Sequence, residues 1–210
     1  GLDIIISDSV NYPLICKVKT EDFVPLTTIT TGRNAFGIIG KPSVVNSISK
    51  KEHFPGACEL RCKANEIRWI KADAVTKNKD IFEKYKVYIS KSAGNPNSDA
   101  KVIGYPYVGA PQSACTDSLF PIGKFDTLEE AENLAKYMKT KFLRYMVSIL
   151  KTSQNVTQIV YGFVPIQDFT ASSDIDWSKP VDELDKQLYA KYGLSQEEID
   201  YIESMIKPME

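Results

Sequence analysis

Apolar and polar positions along this chain follow two patterns. The middle is β-rich: apolar residues come in short runs bounded by turn residues, which predicts strands over Ala57–Lys63, Glu66–Lys71, Tyr85–Ser90, Lys101–Tyr107 and Ser118–Ile122. Leu14-Ile-Cys-Lys-Val18 is also strand-like, and the Gly, Pro and Asn content of Ser92–Asp99 predicts a loop. From Asp126 onward the period becomes helical. Thr127 and Glu130 form a capping-box pair, and Leu134, Met138, Phe142, Tyr145 and Ile149 make one stripe, with Lys136, Thr140, Lys141, Arg144, Ser148 and Lys151 mostly opposite. Leu143, Val147 and Leu150 blur this stripe, so the second half of the helix is expected to pack on more than one side. A polar turn, Thr152–Gln158, then leads to an apolar strand, Ile159–Phe163. Two further helices follow, over Val181–Tyr192 and from a second capping pair, Ser195 and Glu198, with Gly193 between them.

These elements predict an α+β fold: a curved, mainly antiparallel sheet packed on one long helix, with a small C-terminal helical tail. Residues 1–169 are expected to form one domain and 170–210 an acidic helical extension. With 43% hydrophobic residues the chain can bury a core. No apolar run approaches the roughly 20 residues that span a bilayer. The start, Gly1-Leu-Asp-Ile-Ile-Ile-Ser7, lacks a basic leader and is not expected to be a signal peptide; without an initiating Met the chain is expected to be a fragment or a processed form.

The net charge of −1 conceals two blocks. Lys50–Lys91 carries 11 Lys/Arg against 6 Asp/Glu, whereas Asp168–Glu210 carries 4 against 11. Such blocks imply either an anionic partner for the basic body or mutual attraction of the two regions.

Catalytic motifs are hard to find. The four cysteines are scattered; Cys58 and Cys62 make at most half a zinc site, and His53 is the only histidine. Free thiols in a reducing cytoplasm fit better, and no metal site is expected. His53 sits in a charged segment before proline, without a nucleophile motif. Gly32, Gly37 and Gly40 match neither a phosphate loop nor a dinucleotide fingerprint. Gly104-Tyr-Pro-Tyr107 and Asn95-Pro-Asn-Ser98 mimic an adenine-methyltransferase catalytic motif, but the first lacks the amide or carboxylate and the second lacks the stacking aromatic. Asp174 and Asp176 have the residue type of a metal-dependent nuclease.

Nucleic-acid recognition fits the composition better. Phosphates are held by Lys, Arg and backbone amides, and base edges are read by Arg, Asn, Gln, Ser and Thr. Loops rich in those types supply the candidate contacts: Arg33, Asn34, Lys91, Asn95 and Lys101 first, then Arg144, Lys151, Gln154, Asn155 and Gln158.

Five stretches, in order, carry a family resemblance: Phe23-Val-Pro-Leu-Thr-Thr-Ile-Thr-Thr-Gly-Arg-Asn-Ala-Phe-Gly-Ile38, Lys84-Tyr-Lys-Val-Tyr-Ile-Ser90, Ser113-Ala-Cys-Thr-Asp-Ser118, Phe125 to Phe142, and Val160-Tyr-Gly-Phe-Val-Pro-Ile-Gln-Asp-Phe169. The tail from Asp185 to Met209 extends it. From about residue 20 the chain resembles the C-terminal target-recognition region of adenine-specific DNA methyltransferases of bacterial restriction-modification systems, large enzymes often fused to or partnered with a nuclease. The resemblance implies a cytoplasmic domain that reads double-stranded DNA for a methyltransferase catalytic domain upstream in the same polypeptide. It implies that S-adenosylmethionine binding and methylation belong to that upstream domain, so this fragment is expected to be no enzyme and to hold no cofactor. The alternatives are a protein-interaction module docking a partner subunit, or a metal-dependent nuclease fragment using Asp174 and Asp176.

Overall fold

In the computed structural model, residues 11–91, 102–151 and 157–209 are described. The first half contains α1 (Asn11–Val18), α2 (Pro42–Ile48), β1 (Ser49–Lys50), β2 (Cys58–Arg61), β3 (Ile67–Ile70), α3 (Lys79–Phe82) and β4 (Tyr85–Ser90). The second contains β5 (Tyr107–Gly109), β6 (Ser113–Cys115), β7 (Leu119–Phe125), α4 (Leu128–Lys139), α5 (Lys141–Leu150), α6 (Val181–Lys191) and α7 (Gln196–Met205). The fold is mixed α+β with mostly antiparallel sheets, as the periodicity predicts. The chain divides into two compact units. A sheet unit takes residues 29–91 and 104–135, and a helical unit takes the described parts of 11–28, 102–103 and 136–209.

The sheet unit holds two sheets rather than one. The first has the order β1-β3-β2-β6, antiparallel except for the β2–β6 pair; the second, β5-β4-β7, is antiparallel throughout. Phe36, Ile38, Leu60, Ile70, Phe82, Tyr88 and Leu119 form its apolar core. Phe36 meets Tyr88 edge-on at 6.4 Å, and the Tyr88 hydroxyl lies 3.0 Å from Ser113 Oγ, so a buried phenol keeps a hydrogen bond. Gly109 makes this approach possible, since a Cβ there would lie 2.4 Å from the Tyr88 ring. Lys86 is fully buried on β4, its Nζ donating to the carbonyls of Phe82 (3.0 Å), Lys84 (2.9 Å) and Ala110 (2.8 Å). Burial pushes its pKa down to about 7, while three carbonyls are the set that a charged ammonium satisfies. The expected capping box holds: Thr127 N–H donates to Glu130 Oε2 (3.1 Å) and Glu130 N–H to Thr127 Oγ1 (3.3 Å).

In the helical unit the expected long helix is broken at Thr140. Thr140 is extended (φ −61°, ψ 148°), and its Oγ1 accepts from Leu143 N–H as the N-cap of α5. Asp185, from α6, accepts from the N–H groups of Lys141 (3.0 Å) and Phe142 (2.9 Å), which a helix N-terminus leaves without intrahelical partners. A hydroxyl and a distant carboxylate thus satisfy a new helix start inside a continuous apolar stripe. Six consecutive residues of α5, Phe142–Val147, are buried, so it packs on more than one side as its blurred stripe implies. Phe142 stacks on Tyr192 at 5.1 Å.

Three predicted strands change. Leu14–Val18 lies in α1, where Leu14, Ile15 and Val18 are buried at helical spacing and Pro13 falls in the first turn, whose N–H groups have no intrahelical acceptor. Ile159–Phe163 lies in a 3₁₀ helix, Gln158–Phe163, which buries Val160, Tyr161 and Phe163 but leaves Ile159 75% exposed. Of Lys101–Tyr107, Lys101 lies outside the described residues, and among 102–107 only Tyr107 is in a strand; Pro106, without an N–H, precedes it. The Ser195–Glu198 capping box opens α7 with both hydrogen bonds present, and Gly193 ends α6 at φ +59°.

Candidate nucleic-acid interface

Arg33 and Asn34 sit on a loop of the sheet unit that hydrogen bonds hold in place. Asn34 is left-handed (φ +55°) and its carbonyl accepts from Gly37 N–H at 3.2 Å. Gly37, at φ +80°, has no room for a side chain, because a Cβ would lie 2.0 Å from Thr76 Oγ1. Three contacts fix the next turn: Asn78 Nδ2 donates to Ala35 O (2.6 Å), Thr76 N–H to Phe36 O (3.1 Å) and Asp117 N–H to Ile38 O (2.9 Å). Arg33 stays exposed. Asp117 accepts from Gly40 N–H at 2.7 Å and faces Lys91 Nζ at 3.7 Å, so one carboxylate ties Lys91 to the loop that carries Arg33 and Asn34. These three predicted residues therefore come together in one unit.

Arg144, Lys151 and Gln158 lie in the helical unit, where their polar ends are engaged. Arg144 is 1% exposed; its Nε donates to the carbonyls of Lys139 and Thr140, both at 3.2 Å, and burial lowers its pKa. That placement makes it a scaffold residue at the α4–α5 junction. Lys151 Nζ donates to Val102 O (2.7 Å), with its pKa lowered by burial, and Gln158 Nε2 donates to Thr27 O (3.2 Å). Asn95, Lys101, Gln154 and Asn155 lie outside the described residues.

The acidic tail balances cations within its own unit. Lys17 pairs with Glu198 (2.6 Å), Lys141 with Glu203, Lys186 with Glu183 (2.6 Å) and Lys191 with Asp174 (2.8 Å). Asp176 accepts from Ser178 and lies 3.6 Å from Lys179. The two candidate nuclease carboxylates are thus held in local ion pairs, and among the described residues no three His, Cys, Asp or Glu side chains converge as a metal site would require. Cys58, Cys62 and Cys115 are buried free thiols, and Cys16 is an exposed one.

Exposed cations of the sheet unit are treated differently. Arg33, Lys41, Lys50, Lys51, Lys63, Lys71, Lys77 and Lys79 are all exposed, and none forms an ion pair among the described residues. Two concavities lie among them. One, of about 510 Å³, has Asn46, Ser47, Lys50, Phe54, Lys71 and Asp73 in its wall, with Lys50 Nζ 5.3 Å from the Phe54 ring. The other, of about 280 Å³, is walled by Lys63, Ala64, Asn65, Ser90, Tyr105 and Tyr107. Sequence reasoning missed both. The signal available was Tyr105-Pro-Tyr107, whose tyrosines are two residues apart.

No family model matches the chain, and neither a curated protein nor a solved structure matches it. Among the described residues no helix is long and apolar enough to cross a membrane.

Proposed function

We propose that this chain is the sequence-specific duplex DNA recognition domain of a bacterial, cytoplasmic restriction-modification adenine methyltransferase. Catalysis and S-adenosylmethionine binding belong to a domain upstream in the same polypeptide. The observation that carries this reading is the set of exposed sheet-unit cations that form no ion pair among the described residues, interleaved with amide and hydroxyl side chains. Such cations neutralise phosphates, while Arg33 and Asn34, on a loop fixed by backbone hydrogen bonds, have the chemistry to read base edges. Lys91 faces Asp117 and so helps to position that loop. Selection of duplexes from a randomised pool, at moderate salt, tests the reading. Enrichment of one sequence, weakened by Arg33→Ala and Asn34→Ala, is expected; uniform retention of random duplexes would refute sequence-specific recognition.

One observation favours the second reading, docking of a partner subunit. A concavity of about 560 Å³ between α6 and α7 sets Asp182 and Asp200 beside Leu194 and Ile199, with Lys186 and the Lys141–Glu203 pair also in its wall. Two carboxylates beside an apolar surface suit a basic, amphipathic segment. Loss of association with the catalytic domain on Asp182→Lys plus Asp200→Lys, with DNA selection intact, would assign docking to this groove.

A further inference from the structure

The smaller concavity of the sheet unit is lined by two tyrosines, an asparagine and a lysine. β2 and β3 are joined by a tight turn in which Ala64 (φ 56°, ψ 29°) and Asn65 (φ 61°) are both left-handed, a hairpin geometry that glycine and asparagine adopt readily and alanine does not. Strain of this kind is concentrated at functional sites. Arg61, buried at the end of β2, organises the wall. Its guanidinium lies 5.0 Å from the centroid of the Tyr107 ring, donates through Nη1 to Asn65 Oδ1, and pairs through Nη2 with Glu59 at 2.8 Å. With Oδ1 turned to Arg61, the Asn65 amide keeps its N–H₂ as the donor side. Tyr105, 40% exposed, meets Tyr107 at 5.2 Å with the rings inclined at 53°. Lys63 adds an exposed cation, and among the described residues that line the walls there is no carboxylate. Cys62 is the only nucleophilic thiol in the lining; burial, chiefly, pushes its pKa up to about 11, so it stays a neutral thiol at ordinary pH.

A volume of about 280 Å³ is at the lower limit for small-molecule sites, roughly 300–1,000 Å³, and admits one ring system rather than an extended ligand. An aromatic face, an amide donor and a lysine that forms no ion pair among the described residues match the parts of one nucleotide: a base to stack, a base edge to accept a hydrogen bond, and a phosphate.

We infer that this pocket captures a single unstacked nucleobase of a bound DNA strand, with Tyr105 as the stacking platform, Asn65 as the edge donor and Lys63 on the phosphate. The inference rests on the DNA-recognition reading and adds to it a site for one unpaired nucleotide. It is tested with the full chain and two probes: a fully paired duplex, and the same duplex with one extra unpaired adenine. Stacking of a base on an aromatic side chain predicts about tenfold tighter binding of the second probe. That ratio is expected to fall to about one in Tyr105→Ala and to persist in Tyr105→Phe, which keeps the ring. Equal affinity of wild type for both probes, or a ratio unchanged in Tyr105→Ala, would overturn the pocket alone. Failure to bind either probe would overturn the DNA reading and the pocket with it.

Discussion

The two units handle positive charge in opposite ways. In the helical unit, lysines at positions 17, 141, 179, 186 and 191 are matched to carboxylates, and Lys136 and Lys151 donate to the carbonyls of Trp177 and Val102. In the sheet unit, pairs such as Lys124–Asp80 and Arg68–Glu66 exist, but eight exposed cations of residues 29–91 have no carboxylate partner among the described residues. Exposed pairs are worth little to stability, so the contrast concerns what the surfaces attract. The helical unit carries more carboxylates than cations; the sheet unit carries more cations than carboxylates, an excess available to a polyanion.

The largest expected effect separates the structural cation of the sheet unit from its surface cations. Lys86→Met leaves three carbonyls without their donor, each costing about 1–3 kcal/mol when buried, so a loss of at least ~3 kcal/mol is expected in urea unfolding. A loss under ~1 kcal/mol would mean that water reaches those carbonyls. Surface charges should do the reverse. Lys50→Glu with Lys71→Glu is expected to weaken duplex binding roughly 100-fold at moderate salt while leaving the melting temperature almost unchanged. Lys141→Glu, in the helical unit, is expected to change binding by less than about threefold. Equal losses from both variants would erase the distinction between the units.

A pH series sharpens the helical side. Burial, first, raises Asp185 to about 6, against about 3.9 for an unfolded aspartate, although the N–H groups of Lys141 and Phe142 oppose the shift. Because the folded pKa is the higher one, the folded state binds the proton more tightly. The stabilising contribution is therefore complete below about pH 4 and lost as pH rises through 6. The stability difference between wild type and Asp185→Asn is expected to move by about 2–3 kcal/mol between pH 4 and pH 7 in that direction. A flat difference would show that the α5 cap is hydrated. The smallest effect is a gain: Ala64→Gly relieves a left-handed alanine and should raise stability by about 1 kcal/mol.

Much of this architecture was legible from local chemistry. Tyr85–Ser90 is a strand because four of its six residues, Tyr85, Val87, Tyr88 and Ile89, have high β propensity and the segment is bounded by turn signals, and both capping boxes carry their hydroxyl and carboxylate at the required spacing. The break at Thr140 was not legible, because the carboxylate that completes the α5 cap comes from Asp185, 44 residues away from Lys141. Arg144 shows the same limit: a basic residue on a helix reads as surface until the 3₁₀ turn and the tail helices bury it. Lys91 and Arg33 were legible by residue type, but not their link through Asp117, which depends on how the loop folds back. The aromatic pocket was hidden for a third reason. In sequence Tyr105-Pro-Tyr107 mimics a catalytic motif, whereas its surroundings come from Arg61 and Asn65, more than 35 residues earlier.

The salt dependence of duplex binding by the full chain tests most directly whether the unpaired cations of the sheet unit hold DNA. Each phosphate neutralised contributes about −0.9 to the slope of log K against log salt, so a wild-type slope steeper than about −4 is expected. Each charge removed at Lys50, Lys63 or Lys71 should flatten it by about one, while Lys17→Ala and Lys141→Ala leave it as it was. A slope near zero, or one that responds equally to substitutions in either unit, would contradict the assignment of DNA binding to the sheet unit.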